Sequence, residues 1–290
     1  MHNSPVSVVI PFYSNTSGRL VKAVDSVLNQ SVPVEVIVVD DGSPLSAESE
    51  LKDLQDARVR IIRHKVNSNG AIARNTGIEN ANGEYVAFLD YDDIWYPKKL
   101  EKQLELYHCS KDTSGDVDKT VIYSRCIIVD GKRKLVRPLR TIAVDERVGD
   151  YLFCAKQIIQ TSGIFLTTKM AKQVMFDDLK RHQDYQFCLG LEAKGCRFFM
   201  LEEPTYEFIQ VPKLNDYTFS LEWLTKYGKL LTKNAQKGFK SLVVTRSMIA
   251  HGNIIDALKY SIGNGLFISF IKIIFLKLVK KFYIYLRYLF

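Results

Sequence analysis

The chain has 290 residues, of which 47% are hydrophobic and 25% are charged. This composition excludes a disordered, collagen-like or low-complexity protein, and the length suits one large domain or two smaller ones. Forty Lys and Arg residues against 32 Asp and Glu residues give a formal net charge of +8. Five of the bases and no acid lie in residues 264–290. The rest of the chain therefore carries only a small excess, and we expect no nucleic-acid partner.

The first hundred residues alternate between short apolar runs and segments with helical spacing. The runs predict buried strands at residues 6–10, 34–39, 59–62 and 85–89. The segments between and after them predict helices at residues 18–29, 46–55, 71–81 and 97–107. Strands that are apolar on both faces and separated by helices form a parallel sheet covered on both sides. Ligands of such sheets bind beyond the carboxyl ends of the strands, so the residues after each run are the candidates for a functional site.

The pattern becomes looser after residue 107. Further strands are predicted at residues 120–129, 158–166 and 197–201, and a helical segment with a polar break covers residues 170–195. The C-terminal third predicts helices at residues 221–231, 241–260 and 267–290. We therefore expect an α/β protein with a mostly parallel central sheet, flanking helices and a helical C-terminal extension.

The cysteines and the N-terminus favour a cytoplasmic protein. The cysteine count is odd, at five, and no CxxC pair occurs, so neither a disulfide framework nor a zinc site is indicated. The N-terminal apolar run is interrupted by Pro11 and no basic stretch precedes it, so we expect no signal peptide.

The segment 264–290 is apolar, aromatic and basic. On a helical wheel its bases occupy about half of the circle and leave an apolar remainder. Its longest stretch without charge covers only residues 260–271, whereas a membrane span needs about 20 residues. We favour a helix that lies on an anionic membrane surface. A helix at the core or at an oligomer interface, and a true span, are the alternatives.

Acidic residues follow two of the predicted strands. Asp40 and Asp41 follow the second, and Asp90, Asp92 and Asp93 follow the fourth. At the carboxyl edge of a parallel sheet these acids would converge and repel one another. A divalent cation that bridges them to a diphosphate would balance their charge. Each cluster by itself could instead cap the helix that follows it.

A third candidate is the start of the helix that follows Asn69 and Gly70. The N-terminus of a helix presents free N–H groups and the positive end of its dipole, which favour an anion. Arg74 lies in the second turn of this helix and could face the same crevice. The alternative is a helix whose capping residues are only structural.

Together these motifs resemble the family 2 glycosyltransferases of the GT-A fold. The resemblance rests on VVIPFY at residues 8–13, VVDDGS at 38–43, NGAIARNTG at 69–77 and GEYVAFLDYDD at 83–93, followed by Trp95, Pro97 and Leu100. A later family motif, an acid pair at a helix start, is approached by HQDY at residues 182–185. There Gln183 stands where Glu is usual.

The resemblance implies a nucleotide-diphospho-sugar donor, usually a UDP-sugar, and inversion at the anomeric carbon. By position, the donor-binding residues would be Pro11, Tyr13, Asp40, Asp41, Arg74 and Asp90. Asp92, together with Asp90, would ligate Mn²⁺ or Mg²⁺, and Asp184 would be the general base. Trp95 and Gln183 are candidates for contact with the sugar or the acceptor, although Trp95 could equally pack beneath the loop.

We expect transfer of a hexose, with UDP-glucose as the first candidate donor, to a hydroxyl of a polyprenyl-diphosphate-linked saccharide. The reaction would form a β-glycosidic bond at the cytoplasmic face of the inner membrane, in O-antigen, capsule or lipopolysaccharide assembly. The expected GT-A domain covers residues 1–215, divided near residue 105 into a nucleotide-binding half and an acceptor half, and the extension covers 216–290. The alternative is a non-catalytic membrane-docking or sugar-binding module that keeps the fold, since Gln183 cannot titrate.

Overall fold

A computed structural model describes residues 6–114, 117–210 and 216–289. They form two compact units, one of residues 6–148 and 157–210 and the other of residues 149–156 and 216–289. The segment 149–156 thus groups with the C-terminal helices, although the predicted boundary lies at residue 215. Its Phe153 ring lies 5.1 Å from the ring of Phe239, which explains the grouping.

The first unit contains nine strands and six α-helices among its described residues, and a further helix lies almost entirely in the second unit. The strands are β1 (Val6–Phe12), β2 (Val34–Asp40), β3 (Val59–Arg63), β4 (Tyr85–Phe88), β5 (Ile94–Trp95), β6 (Thr120–Asp130), β7 (Arg133–Arg137), β8 (Phe165–Thr167) and β9 (Arg197–Ile209). The helices are α1 (Arg19–Leu28), α2 (Ala47–Glu50), α3 (Asn69–Glu79), α4 (Lys99–Ser114), α5 (Val148–Phe153), α6 (Thr168–Val174) and α7 (Gln183–Ala193). Of helix α5, only Val148 belongs to the first unit, and residues 149–153 belong to the second.

All nine strands belong to one sheet, in the order β3-β2-β1-β4-β8-β6-β9-β5, with β7 paired to β6. Strands β1 to β4 are mutually parallel, as predicted. Beyond β4 the sheet is mixed, because β8 runs antiparallel to both β4 and β6 while β6 and β9 are parallel. The α/β class is confirmed, and the parallel arrangement is concentrated in the first half of the sheet.

Two predicted strands differ from the structure for identifiable reasons. The predicted strand 158–166 contains a 3₁₀ turn at Thr161–Gly163, and only β8 is extended. Strand β9 is much longer than the predicted run 197–201, because it continues through Glu202, Glu203 and Pro204. Shifts in the register with β6 accommodate this polar stretch, which in the sequence is typical of a loop.

The second unit is helical. Its further helices are α8 (Tyr217–Tyr227), α9 (Lys233–Phe239), α10 (Arg246–Ala250), α11 (Ile254–Gly263) and α12 (Phe267–Leu289), with a π-helical turn at Lys240–Thr245. The core of the unit includes Trp223, whose ring stacks 4.8 Å from that of Phe239. The predicted helix 241–260 is interrupted at Gly252, which has a φ of 85°. Across the described chain, no helix combines the length and apolar character that a membrane crossing needs.

Candidate active site

A cleft of about 250 Å³ lies in the first unit, where β4 ends and α7 begins. Its lining includes Arg74, Asp90, Gln160, Gln183 and Asp184. Four of these five residues are predicted site residues, and they come from three separate segments of the chain. The structure therefore brings the helix α3 candidate, the acids after β4 and the HQDY motif to one place.

Arg74 connects these segments through its guanidinium group. Its Nη2 donates to Asp90 Oδ1, and its Nη1 donates to Gln183 Oε1 at 2.6 Å. Its side chain is almost entirely buried. A buried guanidinium whose partners are a carboxylate and an amide holds positive charge at a fixed position in the cleft.

Gln160 orients two of the acids after β4, Asp90 and Asp93. The sequence contains no motif that would identify Gln160 as a site residue. Its Nε2 donates to Asp90 Oδ2 at 3.0 Å and to Asp93 Oδ2 at 3.2 Å. Asp93 is 1% exposed and also accepts from Ser162 Oγ at 2.7 Å. Burial, followed by the nearby charge of Asp90, raises the pKa of Asp93 well above its usual value. Asp93 is thus a structural acid, and Gln160 fixes the orientation of Asp90.

Asp184 lies in the first turn of α7. The residue that precedes this helix, His182, is in the left-handed conformation, with a φ of 60°, and sets the direction of the helix. Burial raises the pKa of Asp184 to about 6, an effect that the bond from the Tyr185 backbone N–H to Asp184 Oδ1 opposes. Burial also lowers the pKa of His182 to about 4, so this imidazole is neutral near pH 7. Asp184 is therefore placed to exchange a proton near neutral pH.

The acids after β2 have different environments. Asp40 is 0% exposed and accepts from the backbone N–H groups of Ser43 and Ala47 at 2.7 and 2.8 Å, and from Arg63. Its carboxylate therefore holds the loop and the start of α2, which is the capping role given above as the alternative. The resemblance implies that Asp40 binds the donor, but its carboxylate is not open to a ligand.

Asp41 is buried but incompletely bonded. Its Oδ1 accepts from Ser68 N at 2.9 Å and pairs with His64 Nδ1 at 2.8 Å. Its Oδ2 has no hydrogen-bond partner, and a buried polar atom in this state is expected to meet a donor from a ligand or water. His64 also contacts Thr76 Oγ1 at 3.0 Å and so ties this loop to α3. The sequence gives no signal for that role.

The remaining candidates lie at the same carboxyl edge of the sheet or beneath it. Pro11 is buried in β1, and Tyr13 follows that strand with its side chain 48% exposed. Asp92 is half-buried and lies 3.7 Å from Arg19. In the register of the sheet, β1 ends between β2 and β4, so the side chains that follow these three strands are neighbours.

Trp95 does not line the cleft. It is 2% exposed, and its Nε1 donates to the carbonyl of Ser162 at 3.0 Å. The Lys99 Nζ atom lies 3.9 Å from its ring centroid and donates to Gln103 Oε1 at 2.6 Å. Trp95 packs beneath the loop, which is the second of its two sequence interpretations, and supports the segment that carries Gln160 and Ser162.

Comparisons with known proteins identify the family of the chain. Residues 7–142 match the model of "Glycosyl transferase family 2". The amylovoran biosynthesis glycosyltransferase AmsB of Erwinia amylovora is 33% identical over 254 residues, which cover 83% of this chain and 83% of AmsB. The putative teichuronic acid biosynthesis glycosyltransferase TuaG of Bacillus subtilis is 31% identical over 70% of this chain and 78% of its own length.

Solved structures agree on the fold. A crystal structure of S. aureus TarS 1-349 in complex with UDP-GlcNAc superposes with a TM-score of 0.60 at 18% identity, covering 85% of this chain and 73% of that one. The complex of the same protein with UDP gives a TM-score of 0.59 at 19% identity, covering 92% and 91%. The GT-A fold implied by the motifs is thereby confirmed. The chain belongs to glycosyltransferase family 2.

Proposed function

We propose that the chain transfers a hexose from a UDP-sugar, with UDP-glucose as the first candidate, to a hydroxyl of a polyprenyl-diphosphate-linked saccharide. The observation that carries this proposal is the convergence of Arg74, Asp90 and Asp184 on one cleft. A nucleotide-sugar donor is supported by the UDP and UDP-GlcNAc complexes of TarS. A surface-polysaccharide product in O-antigen, capsule or lipopolysaccharide assembly is supported by the names of AmsB and TuaG.

The nucleotide would lie at the ends of β1 and β2. The unbonded Oδ2 of buried Asp41 offers an acceptor to a uracil or ribose donor. The exposed ring of Tyr13 offers a face on which a base can stack, and Pro11 is placed to border it. Asp40 is proposed to act indirectly, by fixing the loop that presents Asp41.

Asp90 and Asp92 would hold the Mn²⁺ or Mg²⁺ ion. Among the residues described, no group of three or more His, Cys, Asp or Glu side chains could hold a metal by itself. Two hard carboxylates do fit an ion whose remaining ligands are donor phosphates and water. When bound, the metal supplies positive charge to the departing diphosphate. Arg74, ion-paired with Asp90, places a second positive charge at the same edge of the sheet.

Asp184 would act as the general base. In its ionised form it takes the proton from the acceptor hydroxyl as that oxygen attacks the anomeric carbon from the face opposite the diphosphate. This displacement inverts the anomeric centre, so an α-linked donor gives a β-glycoside. Gln183 is neutral and donates from Nε2 to the Leu179 carbonyl at 2.5 Å, so it positions the start of α7 without adding charge.

The acceptor would be presented at the cytoplasmic face of the inner membrane. Helix α12 exposes a series of apolar side chains, among them Ile268, Ile271 and Phe275. A helix that is apolar on its exposed face and carries bases suits the interface of an anionic bilayer. The chain is thus proposed to bind that surface peripherally, close to its lipid-linked substrate.

The decisive experiment is a donor panel. The full chain is incubated with Mn²⁺, with UDP-glucose, UDP-galactose or UDP-N-acetylglucosamine, and with polyprenyl-diphosphate acceptors that differ in their terminal sugar. We expect one donor to be transferred and linkage analysis to give a β-bond. An α-linked product would contradict direct inversion. A chain that neither transfers sugar nor hydrolyses any donor would instead be the non-catalytic module.

A further inference from the structure

The helical unit contains a cavity that the transferase reaction does not use. Its volume is about 330 Å³, and α5, α9, the π-helical turn and α12 surround it. Its apolar walls include Phe153, Leu242, Leu266 and Ile273. Gly238 permits the close approach that forms it, since a Cβ there would lie 2.5 Å from the carbonyl oxygen of Phe153.

Four bases also line this cavity. They are Lys156, Lys237, Arg246 and Lys272, and no Asp or Glu lines it with them. In the described part of the chain none of the four makes an ion pair. Cations gathered in a concavity with low-dielectric walls focus a positive potential, which attracts an anion.

The cavity adjoins the exposed apolar face of α12. Leu276 and Lys272 line the cavity and are also exposed to solvent, and the exposed residues Ile268, Ile271 and Phe275 continue along the helix. A ligand that contacts both the bases of the cavity and the apolar face of α12 must carry an anionic group on an apolar chain. A free phosphate would leave the apolar walls unused, and a neutral lipid would leave the four bases unneutralised.

We propose that this cavity binds the phosphate group of a membrane lipid. The four bases neutralise the phosphate, and the apolar walls pack against the first part of the hydrocarbon chain or its glycerol link. The inference deepens the membrane partner of the proposed function and rests on it. The membrane lipid would thus bind at a defined site, in addition to its attraction by the diffuse positive charge of α12.

The experiment compares two variants of the full chain that lose the same charge. The cavity variant combines Lys156→Gln, Lys237→Gln and Arg246→Gln, which leaves every base of α12 in place. The control variant combines Lys229→Gln, Lys233→Gln and Lys259→Gln, three exposed bases of the same unit outside the cavity. Binding is measured by cosedimentation with phosphatidylcholine vesicles that contain phosphatidylglycerol, and circular dichroism melts check that both variants fold.

We expect the cavity variant to bind at least about tenfold more weakly than the control, the equivalent of about 1.4 kcal/mol. A single Ser269→Leu substitution, which fills the cavity without changing its charge, should also weaken binding. Equal binding by the cavity and control variants would overturn the site while leaving the peripheral membrane proposal intact. Failure of the unmodified chain to bind the vesicles would contradict that wider proposal as well, whereas sugar transfer to a soluble acceptor tests the reaction separately.

Two further arms identify the source of the phosphate. Undecaprenyl phosphate in neutral vesicles tests the carrier lipid, and phosphatidylglycerol tests the bulk phospholipid. Cavity-dependent binding to either supports the proposal and names the source. Inorganic phosphate is added as a competitor. If it displaces the vesicles at the concentration at which phosphatidylglycerol binds, the apolar walls contribute nothing and the lipid assignment is overturned.

Discussion

The burial of Asp184 lowers the folding stability of the chain at neutral pH. The pKa of Asp184, about 6, exceeds its ordinary value of 3.8, because burial disfavours the charged form. Between these two pH values the folded chain binds more protons than the unfolded chain. The free energy of unfolding therefore falls as the pH rises through this window, and the loss is complete above about pH 7.

The variant Asp184→Asn should separate the effect of this carboxylate on stability from its effect on catalysis. We expect its melting temperature to exceed that of the unmodified chain at about pH 7.5 and to match it at about pH 4, because the amide has no charge to bury. Its kcat should fall by about 10²–10⁴ if the carboxylate is the general base, while UDP affinity stays close to the original. Thermal melts, steady-state kinetics and calorimetric UDP titration measure the three quantities. Turnover near the original rate would place the base elsewhere.

Gln183 offers a way to shift the pH profile without touching Asp184. A carboxylate in Gln183→Glu would lie against the Arg74 guanidinium, which Gln183 Oε1 now contacts at 2.6 Å. The charge of Arg74 lowers the pKa of Asp184, so neutralising it should raise that pKa. We expect the rise in kcat/KM with pH, which for the unmodified chain lies near pH 6, to move to higher pH. The neutral variant Gln183→Met is the matched control and should leave the midpoint in place. A midpoint that is the same in both variants would mean that another group controls the profile.

Asp92 is the acid through which metal dependence can be tested. It is half-buried near Arg19 and accessible to a ligand at the carboxyl edge of the sheet. Asp92→Ala should abolish transfer at standard Mn²⁺ concentrations, because Asp90 alone would have to hold the ion. Asp53→Ala removes an exposed acid of the same unit and should keep full activity. Activity assays across a Mn²⁺ titration provide the measurement, and near-full activity of Asp92→Ala would remove the metal role.

At the scale of elements, the contact between α3 and β1 positions the cleft. Arg74 reaches Asp90 because α3 packs directly on the sheet. Gly77, on the same helix, makes that packing possible, since a Cβ there would lie 2.2 Å from Val9 Cγ1 in β1. A larger residue at this position would push the helix away from the strand and move Arg74 with it.

Gly77→Ala should therefore lower the free energy of unfolding by about 1–3 kcal/mol, the usual cost of overpacking a core. Gly263→Ala is the comparison, because Gly263 ends α11 with no atom near its missing Cβ. There the substitution should be neutral or stabilise by up to about 1 kcal/mol through helix propensity. Urea unfolding followed by circular dichroism tests both. Equal effects at the two positions would show that α3 can yield to the added methyl group.

Local sequence predicts the parallel half of the sheet, whereas it does not predict the roles of Gln160 and Trp95, which support the cleft. Continuous β-branched runs such as residues 34–39 identify a strand that is buried on both faces. The role of Gln160 depends on contacts with Asp90 and Asp93, which lie far away in the chain. A polar residue without a motif gives no sign of such contacts. The burial of Trp95 is a tertiary outcome of the same kind, because its ring joins the hydrophobic core and its Nε1 donates to the distant Ser162 carbonyl.

At the scale of the whole molecule, the charge is distributed unevenly along the chain. The excess of +8 includes five bases in residues 264–290, where no acid balances them. Of these bases, Lys277 donates to the carbonyl of Ile249 at 2.9 Å, so it also fixes α12 to helix α10 of the same unit. The exposed apolar side chains of α12 therefore accompany a local positive field, which is the combination that an anionic bilayer attracts.

Membrane binding of this kind should depend strongly on salt. Raising the ionic strength from about 0.1 M to about 1 M shortens the Debye length from about 10 Å to about 3 Å and screens the exposed bases. We expect the full chain to sediment with phosphatidylglycerol vesicles at low salt, to be largely released at high salt, and to show little affinity for phosphatidylcholine alone. The residual binding at high salt measures the apolar contribution of α12. Binding that is insensitive to both salt and lipid charge would mean that insertion of apolar side chains dominates, and the bases would then have no electrostatic role at the membrane.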